Sequence, residues 1–256
     1  MTPRLFAWSV VAFVAAVVVV GAAAGHGQDP DPSREKEILR RADESRGNLA
    51  GVEWKVEIDA VEEGKQQLRT LSVSARGYDF LAEFMEPPKT RGQRVLFVQH
   101  NMWFSKRDVS KPVPISSKQK LVGGAAYGDI AATNYADDYA ATLLPDEVVG
   151  GESCYTFDLK AVARNATYDR IKYWISKDRR VAVKAEYHTV SGKLLKHAVF
   201  EFDHRVQIEN EARPFISRMT INDALKEGTF TTLRFSEPRL TELPDSLFNV
   251  NLLTTR

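Results

Sequence analysis

The side chains through which this chain could do chemistry are few and poorly placed for it. Its five histidines fall at positions 26, 100, 188, 197 and 204, and Cys154 is its one cysteine. His197, Glu201 and His204 are the residue types of a metal site. The surrounding alternation reads as a strand, however, on which 197 and 201 share a face while 204 points to the other. They are read as solvent-facing strand residues. Asp137-Asp138 offers a carboxylate pair for acid–base work, yet adjacent helical residues diverge by about 100°, and a solvated face is the reading adopted. A thiol nucleophile needs a basic partner, and none is visible near Cys154, which reads as a small buried residue. The chain has no Gly-x-Ser-x-Gly elbow and no phosphate loop, and Gly123-Gly124 with Gly128 does not match a dinucleotide fingerprint. Asn165-Ala166-Thr167 fits a glycosylation sequon, of consequence only in a eukaryotic host. These residues point to no enzyme, no metal and no cofactor.

The elements around them are more informative. Ser33 is a candidate N-cap for a helix with Glu35 and Glu37 in its first turn, a narrow apolar stripe at Ile38, Leu39 and Ala42, and an end at Gly47-Asn48. From Val52 the period changes to two: Val52, Trp54, Val56, Ile58 and Ala60 alternate with polar residues, as on a strand buried on one face. The pattern repeats through Leu71–Ala75, Tyr78–Phe84, Leu96–Val98, Met102–Phe104, Tyr155–Leu159, Ile171–Ile175, Val181–Tyr187, Leu194–Phe202, Phe215–Ile221 and Thr229–Phe235, mostly joined by tight turns. Such spacing predicts an antiparallel meander, because parallel strands would need crossover helices. One stretch breaks the pattern. Residues 120–144 open with glycines and continue with Ala131, Ala132, Tyr135, Tyr139, Ala140, Leu143 and Leu144 at helical spacing before Pro145, which predicts a loop with short helices covering the sheet or its mouth. Pro244–Phe248 reads as a second covering turn at the other end.

Bulk properties narrow the class. Met1–Ala24 has the form of a secretory signal, with Arg4 in the n-region, an uncharged Leu5–Val20 core and a small-residue site at Ala22-Ala23-Ala24. It is read as cleaved, leaving residues 25–256 as a single exported domain in a periplasm. Arg4 is the leader's one charge and the whole chain carries +1, so the mature protein is formally neutral and gives no support to nucleic-acid binding. With one cysteine it has no internal disulfide, so a large apolar core must hold it together. Aromatics on one face of a sheet usually fill a core. A curved meander can instead enclose a ligand, and periodicity leaves both readings open.

Several short stretches resemble a known family. They are Ala42-Asp43-Glu44-Ser45-Arg46-Gly47, Phe84-Met85-Glu86-Pro87-Pro88-Lys89-Thr90-Arg91-Gly92, Gly128-Asp129-Ile130-Ala131 through Asp138-Tyr139, Tyr168 through Ile175, Lys184–Tyr187 with Ser191–Lys196, and Leu247-Phe248. In order and spacing they resemble the periplasmic outer-membrane lipoprotein-sorting proteins, the LolA-like branch of the LolA/LolB/LppX superfamily. The resemblance implies a mainly β fold with a few helices, in which a strongly curved, incompletely closed antiparallel barrel carries a helical lid over a hydrophobic cavity. It implies a monomeric carrier of lipid or lipidated protein that meets inner- and outer-membrane transport components. Strand phase nominates Trp54, Val56, Phe80, Phe84, Phe97, Trp103, Tyr173, Phe200 and Phe202 as cavity lining. The family links an arginine to lid control, and Arg91 is the nearest match. The rival expectation is an envelope sensor or accessory module that uses the same fold to bind another protein, such as a membrane transporter.

Overall fold

The computed structural model describes residues 31–254, which belong to one compact unit beginning at Asp31. The leader expected at 1–24 lies outside the described residues. Helix α1 (Pro32–Glu44) is capped two residues earlier than expected. Asp31, not Ser33, is the N-cap: its carboxylate accepts from the backbone N–H groups of Ser33 and Arg34, and Pro32 occupies the first helical position, where a missing N–H costs nothing. The Ile38, Leu39 and Ala42 stripe is buried in the main core.

Seventeen strands follow in chain order. They are β1 (Val52–Glu62), β2 (Lys65–Arg76), β3 (Asp79–Glu86), β4 (Arg94–Val98), β5 (Asn101–Ser105), β6 (Val113–Ile115), β7 (Lys120–Val122), β8 (Ala125–Ala126), β9 (Tyr139–Val149), β10 (Glu152–Ala161), β11 (Arg170–Ser176), β12 (Ala182–His188), β13 (Leu194–Glu201), β14 (His204–Ile208), β15 (Glu211–Phe215), β16 (Arg218–Asp223) and β17 (Phe230–Leu240). A short helix, α2 (Tyr135–Asp138), precedes β9. Thirteen strands form one antiparallel sheet in the order β6-β5-β4-β3-β2-β1-β17-β16-β13-β12-β11-β10-β9, which does not close into a barrel. Two separate hairpins, β14-β15 and β7-β8, complete the set. The meander expectation holds along both arms. What local spacing could not supply is the seam between them, where β1 pairs with β17 over almost its whole length.

The free edges of the sheet are β6 and β9, and the chain between them, residues 116–138, therefore runs from one edge to the other across the opening. The expected helical run at 139–144 is strand instead. Tyr139 to Val149 pairs with β10, and Pro145 lies where the register shifts between Cys154 and Thr156. Proline is tolerated at such an edge because no partner awaits its missing N–H. The covering turn at the C-terminus is also displaced from expectation. Leu243, Phe248 and Leu253 pack with Leu96 on the outer face of the sheet, away from the interior.

Candidate ligand-binding interior

The inner face of the sheet is lined by Trp54 and Val56 on β1, Phe80 and Phe84 on β3, Phe97 on β4, Tyr173 on β11 and Phe200 on β13, all buried in the main core. Phe202, just past β13, is half-buried against the same core. Trp103 is the exception and corrects the expectation. It joins the outer cluster beneath Phe248, while its neighbours Met102 and Phe104 face inward. Three consecutive apolar residues on a five-residue strand covered on both faces give alternation no way to choose the phase.

The interior is filled by the chain's own side chains. From α1 come Ile38, Leu39 and Ala42, and from residues 116–138 come Val122, Ala125, Ile130, Ala132 and Tyr135. The void left beside Tyr78, Phe97, Met102 and Tyr135 is about 20 Å³. A cleft of about 390 Å³ opens to solvent where the covering segment begins, and it shares Phe97, Met102 and Ser117 with that void. Gly123, with φ +55°, lets the β7-β8 hairpin press on β1: a Cβ there would sit 2.7 Å from Ala60 Cβ.

Polar bonds, not continuous sheet, hold the covering segment down. Asn48 Nδ2 donates to the Thr133 carbonyl at 2.9 Å, and the Ala136 N–H donates to Asp43 Oδ2 at 2.9 Å. On the opposite wall, Lys196 Nζ donates to the Gly124 carbonyl at 2.8 Å and pairs with Asp129 at 2.7 Å. Tyr168 donates its hydroxyl to the other Asp129 oxygen at 2.7 Å. Lys196 and Asp129 are both buried. Asp138 is buried too, correcting its reading as part of a solvated face, and burial raises its carboxyl above the ordinary range with a Tyr78 hydroxyl bond opposing. Asp137 does face solvent, paired with Lys36. Arg91 plays no part in this fastening. Its guanidinium donates to the Met85 carbonyl and pairs with Glu86, so its bonds hold the β3–β4 turn in which it sits.

The sequence reading also passed over the most unusual group in the interior. Arg46 follows the C-cap of α1 and is only 5% exposed. Its guanidinium carbon lies 4.7 Å from the centre of the Phe200 ring and 5.7 Å from that of Tyr135. Its Nε and Nη1 have no hydrogen-bond partner, and neither do the hydroxyls of Tyr173 and Tyr187 nor Asp43 Oδ1. Gly47, with φ +102°, lets Trp54 close over this corner: a Cβ would meet the indole at 2.8 Å. Burial pushes the Asp43 carboxyl up to about 6, opposed by the Ala136 N–H bond. One signal was available for Lys196, a lysine on the apolar phase of β13 between Leu194 and Ala198. Arg46 gave none, since a basic residue at a helix C-terminus is ordinary.

A LolA superfamily protein from Nitrosomonas europaea superposes with a TM-score of 0.75 and 32% sequence identity, covering 84% of this chain and 97% of that one. The chain belongs to the LolA superfamily. A family model described as "-like: Uncharacterized protein" matches residues 77–255. The LolA-like fold is seen again in a domain from Vibrio parahaemolyticus assigned to the outer membrane lipoprotein-sorting proteins (19% identity, 88% and 100% of the two chains, TM-score 0.73). A DUF1329 family protein from Desulfovibrio piger shares it as well (21%, 88% and 100%, 0.73). No curated protein matches the chain. Among the described residues of this LolA-like protein, no helix is long and apolar enough to cross a membrane, and no cluster of three metal-ligating side chains is present.

Proposed function

We propose that this protein is a periplasmic carrier that takes the acyl chains of lipoproteins or other envelope lipids into its interior and moves them towards the outer membrane. The observation that carries the reading is the covering segment. It joins the two unpaired edges of an open sheet, lies on an apolar inner face, and is fastened by a handful of polar bonds. Each such bond contributes about 1 kcal/mol net. A transferred methylene is worth about 0.8 kcal/mol, so a chain of about sixteen carbons gains roughly 12 kcal/mol by leaving water. Such a chain would take the place of Val122, Ala125, Ile130, Ala132 and Tyr135, which the segment now buries against the inner face. Carriage needs no covalent step, which suits the scarcity of nucleophile–base pairs.

The filled interior favours a second reading, in which the inner face is simply core and the molecule binds another protein. Native mass spectrometry of the protein purified from its own envelope, with extraction of whatever accompanies it, decides between them. A stoichiometric lipid or acylated peptide supports the carrier. Protein without lipid that also fails to take up a fluorescent fatty acid overturns it.

A further inference from the structure

The interior holds two buried cations, and they are treated differently. Lys196 is matched by Asp129 at 2.7 Å and by the Gly124 carbonyl. Arg46 has no carboxylate at ion-pairing distance among the described residues; its near neighbours are neutral, with the Met219 sulfur 3.9 Å from Nη2 and the Tyr135 and Tyr173 side chains beside the guanidinium. An unpaired buried charge is costly, and contact with an aromatic face recovers only part of that cost. The guanidinium stays charged, since arginine does not lose its proton at any physiological pH. Two of its nitrogens make no well-aligned hydrogen bond, and neither do the hydroxyls of Tyr173 and Tyr187 on the neighbouring strands, although Tyr135 and Tyr173 stand close enough to the guanidinium to stabilise its charge. All are donors. Tyr135, whose ring lies beside the guanidinium, belongs to the covering segment, as does Ala136, which is bonded to Asp43. Lifting that segment would expose an apolar trough with a fixed fork of donors in its wall.

We infer that Arg46, with the hydroxyls of Tyr173 and Tyr187, is a head-group receptor, and that the interior selects acyl chains bearing an acidic head, a carboxylate or a phosphate. Guanidinium binds either anion through two parallel N–H bonds, and the surrounding apolar walls strengthen the pairing. The inference rests on the carrier reading and narrows its cargo from acyl chains in general to acidic amphiphiles.

The test is displacement of the uncharged dye N-phenyl-1-naphthylamine by palmitate, lysophosphatidic acid and hexadecanol, each below its aggregation threshold. The wild-type protein is expected to bind at least one acid about 10-fold or more tighter than the alcohol, since hydrogen bonds to a charged group are worth about 1.5–3 kcal/mol. Preference for palmitate or for lysophosphatidate identifies the head as carboxylate or phosphate. Arg46→Gln should bring acid and alcohol to within about 3-fold of each other by weakening the acid far more than hexadecanol. Should that variant fail to fold, Tyr173→Phe with Tyr187→Phe keeps the rings, removes only donors, and should still lower the acid preference several-fold. Equal binding of acid and alcohol by the wild type overturns the inference and leaves the carrier reading standing. Acid preference that survives both sets of substitutions overturns the assignment to this site. Failure of all three ligands to displace the dye overturns both.

Discussion

Lys196 lies on a strand phase otherwise given to Ala198 and Phe200, and its partner Asp129 sits in a segment that pairs with no strand of the main sheet. Removing one member of such a pair leaves a buried charge uncompensated, so Lys196→Met should lower stability by about 3–5 kcal/mol in urea denaturation. Adding Asp129→Asn should recover most of the loss, because the cost lies in the orphaned carboxylate. Asp43 makes a different prediction. Burial lifts its carboxyl from the ordinary 3.8 to about 6, so the folded chain holds that proton more tightly than the unfolded chain. Its contribution to stability is complete below about pH 4 and is lost as pH rises through 6. The displacement corresponds to about 3 kcal/mol. Thermal unfolding across pH 4–7 should therefore flatten in Asp43→Asn, with a residual slope from Asp138 and Glu35, which burial also raises. At this scale the sequence showed most of the aromatics that alternate inward, Trp103 excepted, but not which polar groups follow them. Arg46 and Asp138 belong to a helix end and a short turn, where a side chain's direction depends on the packing around it.

Residues 116–138 were legible as an interruption because their glycines and loss of alternation break a regular strand rhythm. Where the interruption ends was not legible. Tyr139, Ala140, Leu143 and Leu144 satisfy a helical spacing, and their strand conformation comes from pairing with β10, a tertiary choice that local periodicity does not encode. If the segment must lift for loading, fastening it should stop loading. Asn48 and Asn134 already meet, side chain to side chain, at 3.3 Å. A protein carrying Asn48→Cys and Asn134→Cys should lose palmitate uptake when oxidised and regain it in reductant. Unchanged uptake by the oxidised form, with the cross-link verified by mass, would remove the segment from the loading path. Cys154 should not interfere, being buried with Trp174 and Val183 on the outer face.

For the whole molecule, the main apolar cluster and the one built on the C-terminal turn lie on opposite faces of one sheet. The inner one contains the candidate lining, and the outer one joins Leu96 and Trp103 to Leu243, Phe248 and Leu253. Their separation predicts separable effects. Phe248→Ala should cost about 3 kcal/mol or more of stability, read in denaturant, while ligand affinity per folded molecule stays at the wild-type value. A parallel fall in affinity would mean that the outer cluster shapes the inner face. The open antiparallel architecture was legible because nearly every turn is short. The seam between its arms was not, since no local signal pairs β1 with β17.

That seam governs how the molecule comes into being. While the polypeptide emerges from the ribosome or a secretion channel, β1 waits with an unsatisfied edge until Phe230–Leu240 arrives to occupy it. Contacts between such distant parts of a chain form late and slowly. The two arms are thus halves without a spine for most of synthesis, a state in which exposed strand edges invite both holding chaperones and proteases. Slow completion also keeps the chain threadable, the condition a protein needs if it is to cross a membrane before it folds.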